Sequence, residues 1–247
     1  MSYDFSAAGY LDTTFPSGRA APISMFCWIK KADFSTDFTY AMHLTEVAGD
    51  STPGLELDAA TGTADRLGVT TRQSDNSIAA QFEDFAAGEF DNTWVAWLGV
   101  WTSDVLRNLR LAELNGSTQG GTDNTTDKTA GSALDYLRIG LNVTGFTQWG
   151  GLIAEPAVWS KALDSTDFDL LKSGIVPGIV QNVNCIGYWP LDTDQATHAD
   201  QSGNDGPILT VQSAAAFDSD HPIVASGLSG FHGANRGIMR GVARGIG

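Results

Sequence analysis

Positive charge is scarce in this chain. Only 14 of 247 residues are Lys or Arg, against 29 Asp or Glu, for a net charge of −15. Three of the 14 (Arg236, Arg240 and Arg244) lie in residues 231–247, which contain no acid, so residues 1–230 hold 11 bases against 29 acids, net −18. So acidic a body lacks the cationic surface that holds phosphate backbones, and no nucleic-acid partner is expected. It suits solubility, a cationic partner, or Ca²⁺ in acidic loops. Cysteine is nearly absent. Cys27 and Cys185 are too few for a disulfide framework, and both fall in expected strands, where a free thiol packs as a small apolar group. No apolar run approaches the ~20 residues that span a bilayer, so no membrane partner is expected. The opening Met-Ser-Tyr-Asp-Phe-Ser has neither the basic nor the apolar region of a secretory signal, which gives the expectation of a cytoplasmic start. His43, His198, His221 and His232 are too scattered for a metal site, and no Gly-x-Ser-x-Gly elbow or phosphate loop occurs.

Apolar and turn-forming residues are plentiful. Hydrophobic residues make up 42% and aromatic ones 10%, enough for a real core, while 28 Gly favour short strands and turns over long helices. The most informative stretch is Gly150 to Gly174. Residues 152–159 are mostly apolar and suit a strand, and 160–163 turn a corner. Asp164-Ser165 then offers a helix N-cap, followed by Phe168, Leu171 and Ile175 at helical spacing, with Gly174 and Pro177 as the stop. Residues 3–15 read as two short strands, Pro16-Ser17-Gly18 as a turn, and 23–30 as a strand apolar on both faces, as between two layers. Weaker strands follow at 42–44 and 55–57, with a turn at Thr61-Gly62. Strands 67–71 and 78–82 pair across Ser74-Asp75-Asn76. In residues 92–101, Trp94, Trp97, Leu98 and Trp101 fit helical spacing, but the run is short and rich in β-formers, so a buried strand is expected. Strand 109–114 ends at Asn115-Gly116, a tight-turn signal, and residues 117–132 read as an exposed loop. Strands at 136–141, 185–192 and 208–211 complete about a dozen, which predicts an all-β sandwich or jelly roll.

The order of these pieces resembles the laminin G-like, or concanavalin A-like, lectin/glucanase superfamily over roughly residues 3–175. YDFSAAGYLDTT is similar to its "F-D-G-x-x-Y-v", Pro22 to Lys30 to "f-T-i-s-x-W-v-K", and Asn92 to Ala96 to "g-x-W-h-h-v-a" without its His residues. Leu109 to Gly116 is similar to "l-Y-l-N-G", and the Gly150–Gly174 stretch to the family's closing strand and helix. The resemblance implies an antiparallel jelly roll of two sheets, one concave, with one short helix. Cys185 to Gly206 resembles the strand that often precedes the first motif, here placed last as in a circular permutation. The expected division is a jelly roll over 1–222, closed near 185–192, and a basic Gly-rich tail over 223–247. Ending the body at His221-Pro222 resembles virion proteins of bacteriophages with this fold. That implies a non-catalytic structural role, as a capsid decoration or fibre-type protein in a virion assembled in the host cytoplasm; the alternative is a carbohydrate-binding module used for host adhesion.

Glycosidases of the resembled superfamily use a Glu-x-Asp-x-x-Glu strand. The nearest match is Glu56-Leu57-Asp58-Ala59-Ala60-Thr61, with Thr61 in place of the second Glu. A retaining reaction needs two carboxyls about 5 Å apart in separate roles, so no enzyme is expected and an exposed strand end is the plain reading. Glu155 sits where the family has a structural acid. Asp123, Asp127, Asp192, Asp194 and Asp200 lie in polar loops that leave Ca²⁺ open, without a ligand ladder. Asn115-Gly116-Ser117, Asn124-Thr125-Thr126 and Asn142-Val143-Thr144 match the glycosylation pattern and read as turns. Of seven Trp, Trp149 and Trp101 lie nearest to loops and are the candidates for a carbohydrate-stacking platform. The tail is unlike the rest: Gly233, Gly237, Gly241 and Gly245 recur every fourth residue, as do Arg236, Arg240 and Arg244, and Ile238, Val242 and Ile246. Gly costs ~1 kcal/mol per helical site relative to Ala, so an isolated helix is disfavoured. Two readings stay open, a flexible disordered end or a segment that becomes ordered on a partner. In the second, which the repeat favours, the Arg and apolar stripes are the candidate partner-binding residues, for a capsid protein or sibling subunits in a homo-oligomer.

Overall fold

The structure, a computed structural model, describes residues 2–6, 9–34, 39–46, 54–59, 65–103, 105–128, 131, 133–141, 148–212 and 215–222. The tail, the Thr61-Gly62 turn and the Asn142-Val143-Thr144 site lie outside the described residues. In chain order the strands are β1 Ser2–Asp4, β2 Tyr10–Arg19, β3 Ile23–Lys31, β4 Thr39–Thr45, β5 Gly54–Ala59, β6 Asp65–Arg72, β7 Ile78–Phe85 and β8 Val95–Trp101. They continue as β9 Arg107–Glu113, β10 Gln119–Asn124, β11 Leu134–Ile139 and β12 Gly151–Trp159. After helix α1 Ser165–Lys172 and 3₁₀ turns at Pro177–Ile179 and Asn182–Asn184 come β13 Cys185–Tyr188, β14 Thr197–His198, β15 Leu209–Gln212 and β16 Ala216–Asp218.

Two antiparallel sheets result. One runs β10-β9-β8-β3-β12-β1-β16, with β13 also paired to β12; the other runs β14-β15-β2-β11-β4-β5-β6-β7. Strand alternation sorts side chains between layers. On β8, Val95, Trp97 and Trp101 enter the core between the sheets, while Ala96, Leu98 and Val100 join a second cluster on the other side. That second cluster is roofed by Leu163, Phe168 and Leu171 of the α1 segment. The first sheet is therefore the middle of three layers, which is why β3 and β8 read as apolar on both faces. Cys27 lies in the core and Cys185 in the second cluster, both as free thiols. Burial pushes the Cys185 thiol up to about 12 and the Cys27 thiol up as well, so both stay protonated.

Helix α1 starts as the sequence predicts. Asp164 accepts from the Asp167 N–H at 2.9 Å, and the Asp167 side chain accepts from the Asp164 N–H at 3.2 Å, a reciprocal capping box. The strand before it holds a surprise: pairing with β3 shifts register between Ala154 and Ala157, and Glu155 has φ +54. The extra residue of this bulge turns Glu155 inward. It accepts from the Tyr188 hydroxyl and lies 2.8 Å from His221 Nε2.

Two local expectations are corrected. Pro16-Ser17-Gly18 is not a turn; β2 runs through it to Arg19, and the register shift against β11 falls here, where a Pro lacking its N–H is tolerated. The expected loop at 117–132 contains β10, an exposed edge strand held to β9 by backbone pairing despite its polar, Gly-rich sequence.

Candidate functional site

The face of the second sheet that turns away from the core is lined by polar side chains. Leu55, Leu57 and Ala59 of β5 enter the core, so Glu56 and Asp58 alternate onto the opposite face. Cross-strand register brings His43 of β4 beside Glu56 and Thr70 of β6 on its other side, and Arg138 of β11 beside His43. Asp12 of β2 stands opposite Arg138, and Thr210 of β15 opposite Asp12.

The middle of this face is a buried charge network. Arg72 grips Glu56 with two bonds, Nε to Oε1 at 2.9 Å and Nη2 to Oε2 at 3.3 Å, and Nη2 also donates to the Tyr40 hydroxyl at 3.1 Å. His43 Nε2 lies 3.4 Å from Glu56 Oε1. Burial, with Arg72 and Arg138 nearby, lowers His43 to about 3, so the imidazole is neutral. Its ring needs Gly54: a Cβ there would come within 2.7 Å of Nε2. Thr70 Oγ1 lies 3.1 and 3.0 Å from the two Asp58 oxygens. Burial, and then the neighbouring Glu56, raise Asp58 well above the ordinary carboxylate range, while burial raises Glu56 against the pull of Arg72.

Glu56 is 1% and Asp58 0% exposed, which corrects the reading of this motif as an exposed strand end. Alternation points both acids to this face, where Arg72 holds Glu56 and Thr70 holds Asp58. A carboxyl whose folded pKa is raised stabilises the fold fully below its unfolded pKa, and that contribution is lost as pH rises through the folded value. Asp58→Asn is therefore expected to be more stable than the parent at pH 8, on the order of 1 kcal/mol, and equal to it at acid pH. Urea unfolding at both pH values measures this; an Asn variant less stable at pH 8 contradicts a raised Asp58 carboxyl.

Toward β15 the face opens. Tyr10, Asp12, Arg138 and Gln212 are all partly exposed. The Tyr136 hydroxyl donates to Asp12 Oδ2 at 2.6 Å, Gln212 Nε2 donates to Asp12 Oδ1 at 3.1 Å, and Arg138 Nη2 donates to the Tyr136 oxygen at 3.0 Å. The Arg138 guanidinium lies 4.4 Å from the Tyr10 ring centre. Burial and the bond to Asp12 push Tyr136 up to about 12, so it remains a donor. The arrangement sets a carboxylate, a guanidinium and an aromatic ring side by side, groups that fix the orientation of a polyhydroxylated ligand. The sequence signal is present as polar residues at alternate positions, Tyr10-x-Asp12-x-Thr14 and Tyr136-x-Arg138. It escapes sequence reading because only the pairing of β2 with β11 joins the two runs.

Trp149 and Trp101 do not form a sugar platform. Trp149 is 0% and Trp101 1% exposed, and both lie in the core between the sheets. Trp149 reaches it because its N–H bonds to the Gly140 carbonyl at 2.8 Å, drawing the segment inward to pack on Phe34 and Trp97. Trp101 continues the core-facing positions of β8. The partner-binding candidates Arg236, Arg240, Arg244, Ile238, Val242 and Ile246 lie outside the described residues. Among the described residues no group of three or more His, Cys, Asp or Glu could hold a metal ion. Asp200 instead accepts from the N–H groups of Tyr188, Ser202 and Gly206, which shapes its own loop. No helix among the described residues is long and apolar enough to cross a membrane.

No protein family's profile and no curated protein matches the chain. Solved structures do. A native heptameric SAP-like pentraxin from Limulus polyphemus superposes with a TM-score of 0.52 at 16% identity, over 86% of this chain and 95% of its own. A Bacteroides ovatus protein provisionally described as carbohydrate-binding gives 0.56 at 15% identity, over 87% of this chain. The enzymatically active domain of tailspike protein 2 of bacteriophage CBA120 gives 0.54 at 13% identity, over 73% of this chain. The chain spans 60% of the Bacteroides protein and 28% of the tailspike chain. At these identities the likeness is one of fold, and the fold is the two-sheet antiparallel jelly roll that the sequence resemblance implies.

Proposed function

We propose that this chain is a non-catalytic, lectin-like surface protein of a virion, whose jelly roll over residues 1–222 binds a glycan and whose tail over 223–247 attaches it to a capsid protein or to sibling subunits. The observation that carries the glycan reading is the partly exposed strip of Tyr10, Asp12, Arg138 and Gln212 on the outer sheet face, tied together by hydrogen bonds through Tyr136 and by the Arg138 guanidinium over the Tyr10 ring. Preorganised polar groups of this kind bind with little ordering cost. The likeness in fold to a carbohydrate-binding protein and a phage tailspike domain supports the reading. Catalysis is disfavoured because Glu56 is committed to Arg72 and both Glu56 and Asp58 are buried. A substrate needs both carboxyls of such a pair within reach.

Two arms test the proposal. On a glycan array with and without Ca²⁺, a bound saccharide is expected to lose affinity by about tenfold in Arg138→Ala, the worth of one charge-assisted hydrogen bond. No binder in either condition, or a binder indifferent to Arg138, ends the glycan reading. Deleting residues 231–247 is expected to abolish attachment to particles while the body stays folded; unchanged attachment ends the anchoring reading.

A further inference from the structure

The outer side of the first sheet carries an apolar patch. Leu170 of α1, Ile175, Ile179 and Val183 are 43%, 40%, 54% and 84% exposed. All four fall in one continuous stretch, residues 170–183. The Ile175 N–H bonds to the Leu170 carbonyl at 3.1 Å, Asn182 Nδ2 bonds to the Gly178 carbonyl at 2.8 Å, and Gln181 Nε2 bonds to Asp167 Oδ1 at 2.8 Å, tying both 3₁₀ turns to the helix. Asp164, the cap of α1, and Asp205 are exposed; Asn204, next to Asp205, bonds to the Cys185 carbonyl at 2.9 Å. Single exposed apolar residues are ordinary, but four within one short stretch tied together by hydrogen bonds suit an interaction site.

The last described residues are linked toward this stretch through Glu155 and Tyr188. β16 pairs with β1, Asp220 Oδ2 accepts from Lys30 Nζ at 2.6 Å, and His221 Nε2 lies 2.8 Å from Glu155 Oε1. Glu155 holds the Tyr188 hydroxyl, and the Tyr188 ring is packed on Gly178 so closely that a Cβ there would lie 2.8 Å from Cδ1. From Pro222 the chain has 15 residues before Ile238, a reach of up to about 50 Å. The end of the chain is complementary to the patch in chemistry: Ile238, Val242 and Ile246 make one stripe, Arg236, Arg240 and Arg244 the next.

We infer that residues 235–247 dock in cis on the patch formed by Leu170, Ile175, Ile179 and Val183, the apolar stripe on these residues and the Arg stripe toward Asp164 and Asp205. The inference rests on the reading of the tail as an interaction segment. The short tether sets an effective concentration near the millimolar range, so a weak contact suffices and the chain's own tail outcompetes that of another copy. Attachment to a particle would then exchange this contact for one with the shell.

Trypsin, which cuts after Arg, reads the docking directly in the full-length protein. Cleavage after Arg240 and Arg244 is expected to be at least about tenfold slower than in a synthetic 223–247 peptide, equally so at low and high protein concentration, with a monomeric mass. The surface pair Ile179→Asp and Val183→Asp is expected to restore the peptide's rate with the near-ultraviolet circular dichroism of the body unchanged. Cleavage of the parent at the peptide's rate overturns the inference, as does protection that survives the Asp pair. Protection that appears only as dimers form also overturns it and puts a second copy on the patch. Loss of particle attachment on tail deletion, with no protection in solution, leaves the anchoring reading standing and removes this one.

Discussion

Arg72→Ala is expected to destabilise the protein by about 3–5 kcal/mol, the cost of stranding a buried charge. Glu56 is 1% exposed, and both its oxygens take a bond from Arg72, at 2.9 and 3.3 Å. His43, 3.4 Å from Glu56 Oε1, is held neutral by burial and brings no compensating positive charge. Without the guanidinium, Glu56 must take up a proton or draw in water, and Tyr40 loses the donor 3.1 Å from its hydroxyl. The variant should therefore lose stability as pH rises, since its buried carboxyl is more easily accommodated protonated. Adding Glu56→Gln to Arg72→Ala should recover most of the loss, because a neutral amide carries no unpaired charge. Urea unfolding of the two single variants and the double variant closes the cycle. If Arg72→Ala costs less than about 1 kcal/mol, the pair behaves as a surface ion pair, and the network does not organise this face.

How far the sequence carries depends on the element. The double-sided apolar pattern of β3 and β8 and the Asp164 cap before Phe168 and Leu171 are local signals, and the fold obeys them. The bulge at Glu155 is invisible locally, because Leu152 to Trp159 reads as one unbroken strand; it is the pairing with β3 and the contacts of Tyr188 and His221 that turn Glu155 inward. β10 is likewise a tertiary product, six polar and Gly residues that become a strand because β9 offers an edge. The polar face is half legible. Glu56 and Asp58 stand out through resemblance to a catalytic strand, but their burial follows from Thr70 and Arg72 on β6 and from His43 on β4, partners outside the motif. The Tyr10–Asp12–Arg138 strip joins strands far apart in the chain, as the separation of 124 between Asp12 and Tyr136 illustrates, and no pattern within either strand announces it.

Trp149 tests whether aromatic side chains near loops serve ligand or core. Trp149→Ala is expected to cost about 3–5 kcal/mol, as a large aromatic deletion does in a core that only partly collapses, and to lower Tm by about 10 °C for a chain of this length. The ring is fully buried, 6.2 Å from Phe34 and 6.0 Å from Trp97 between centres, with the Lys31 ammonium 5.4 Å from its centre. Phe34 in turn packs on Phe85, and Phe85 on Phe90, so the cavity would open within a chain of aromatic contacts that links both sheets. The loss should appear in unfolding and leave glycan affinity of the folded protein within about twofold of the parent, because Tyr10 and Arg138 lie on the opposite side of the second sheet from the core. Trp149→Phe, which keeps most of the volume, should recover more than half of the stability. The decisive comparison is between the two readouts. A Trp149→Ala protein of near-parental stability that no longer binds glycan would return this residue to the binding surface; one that binds normally when cold and unfolds early assigns it to the core, and leaves recognition to the polar strip across β15, β2 and β11.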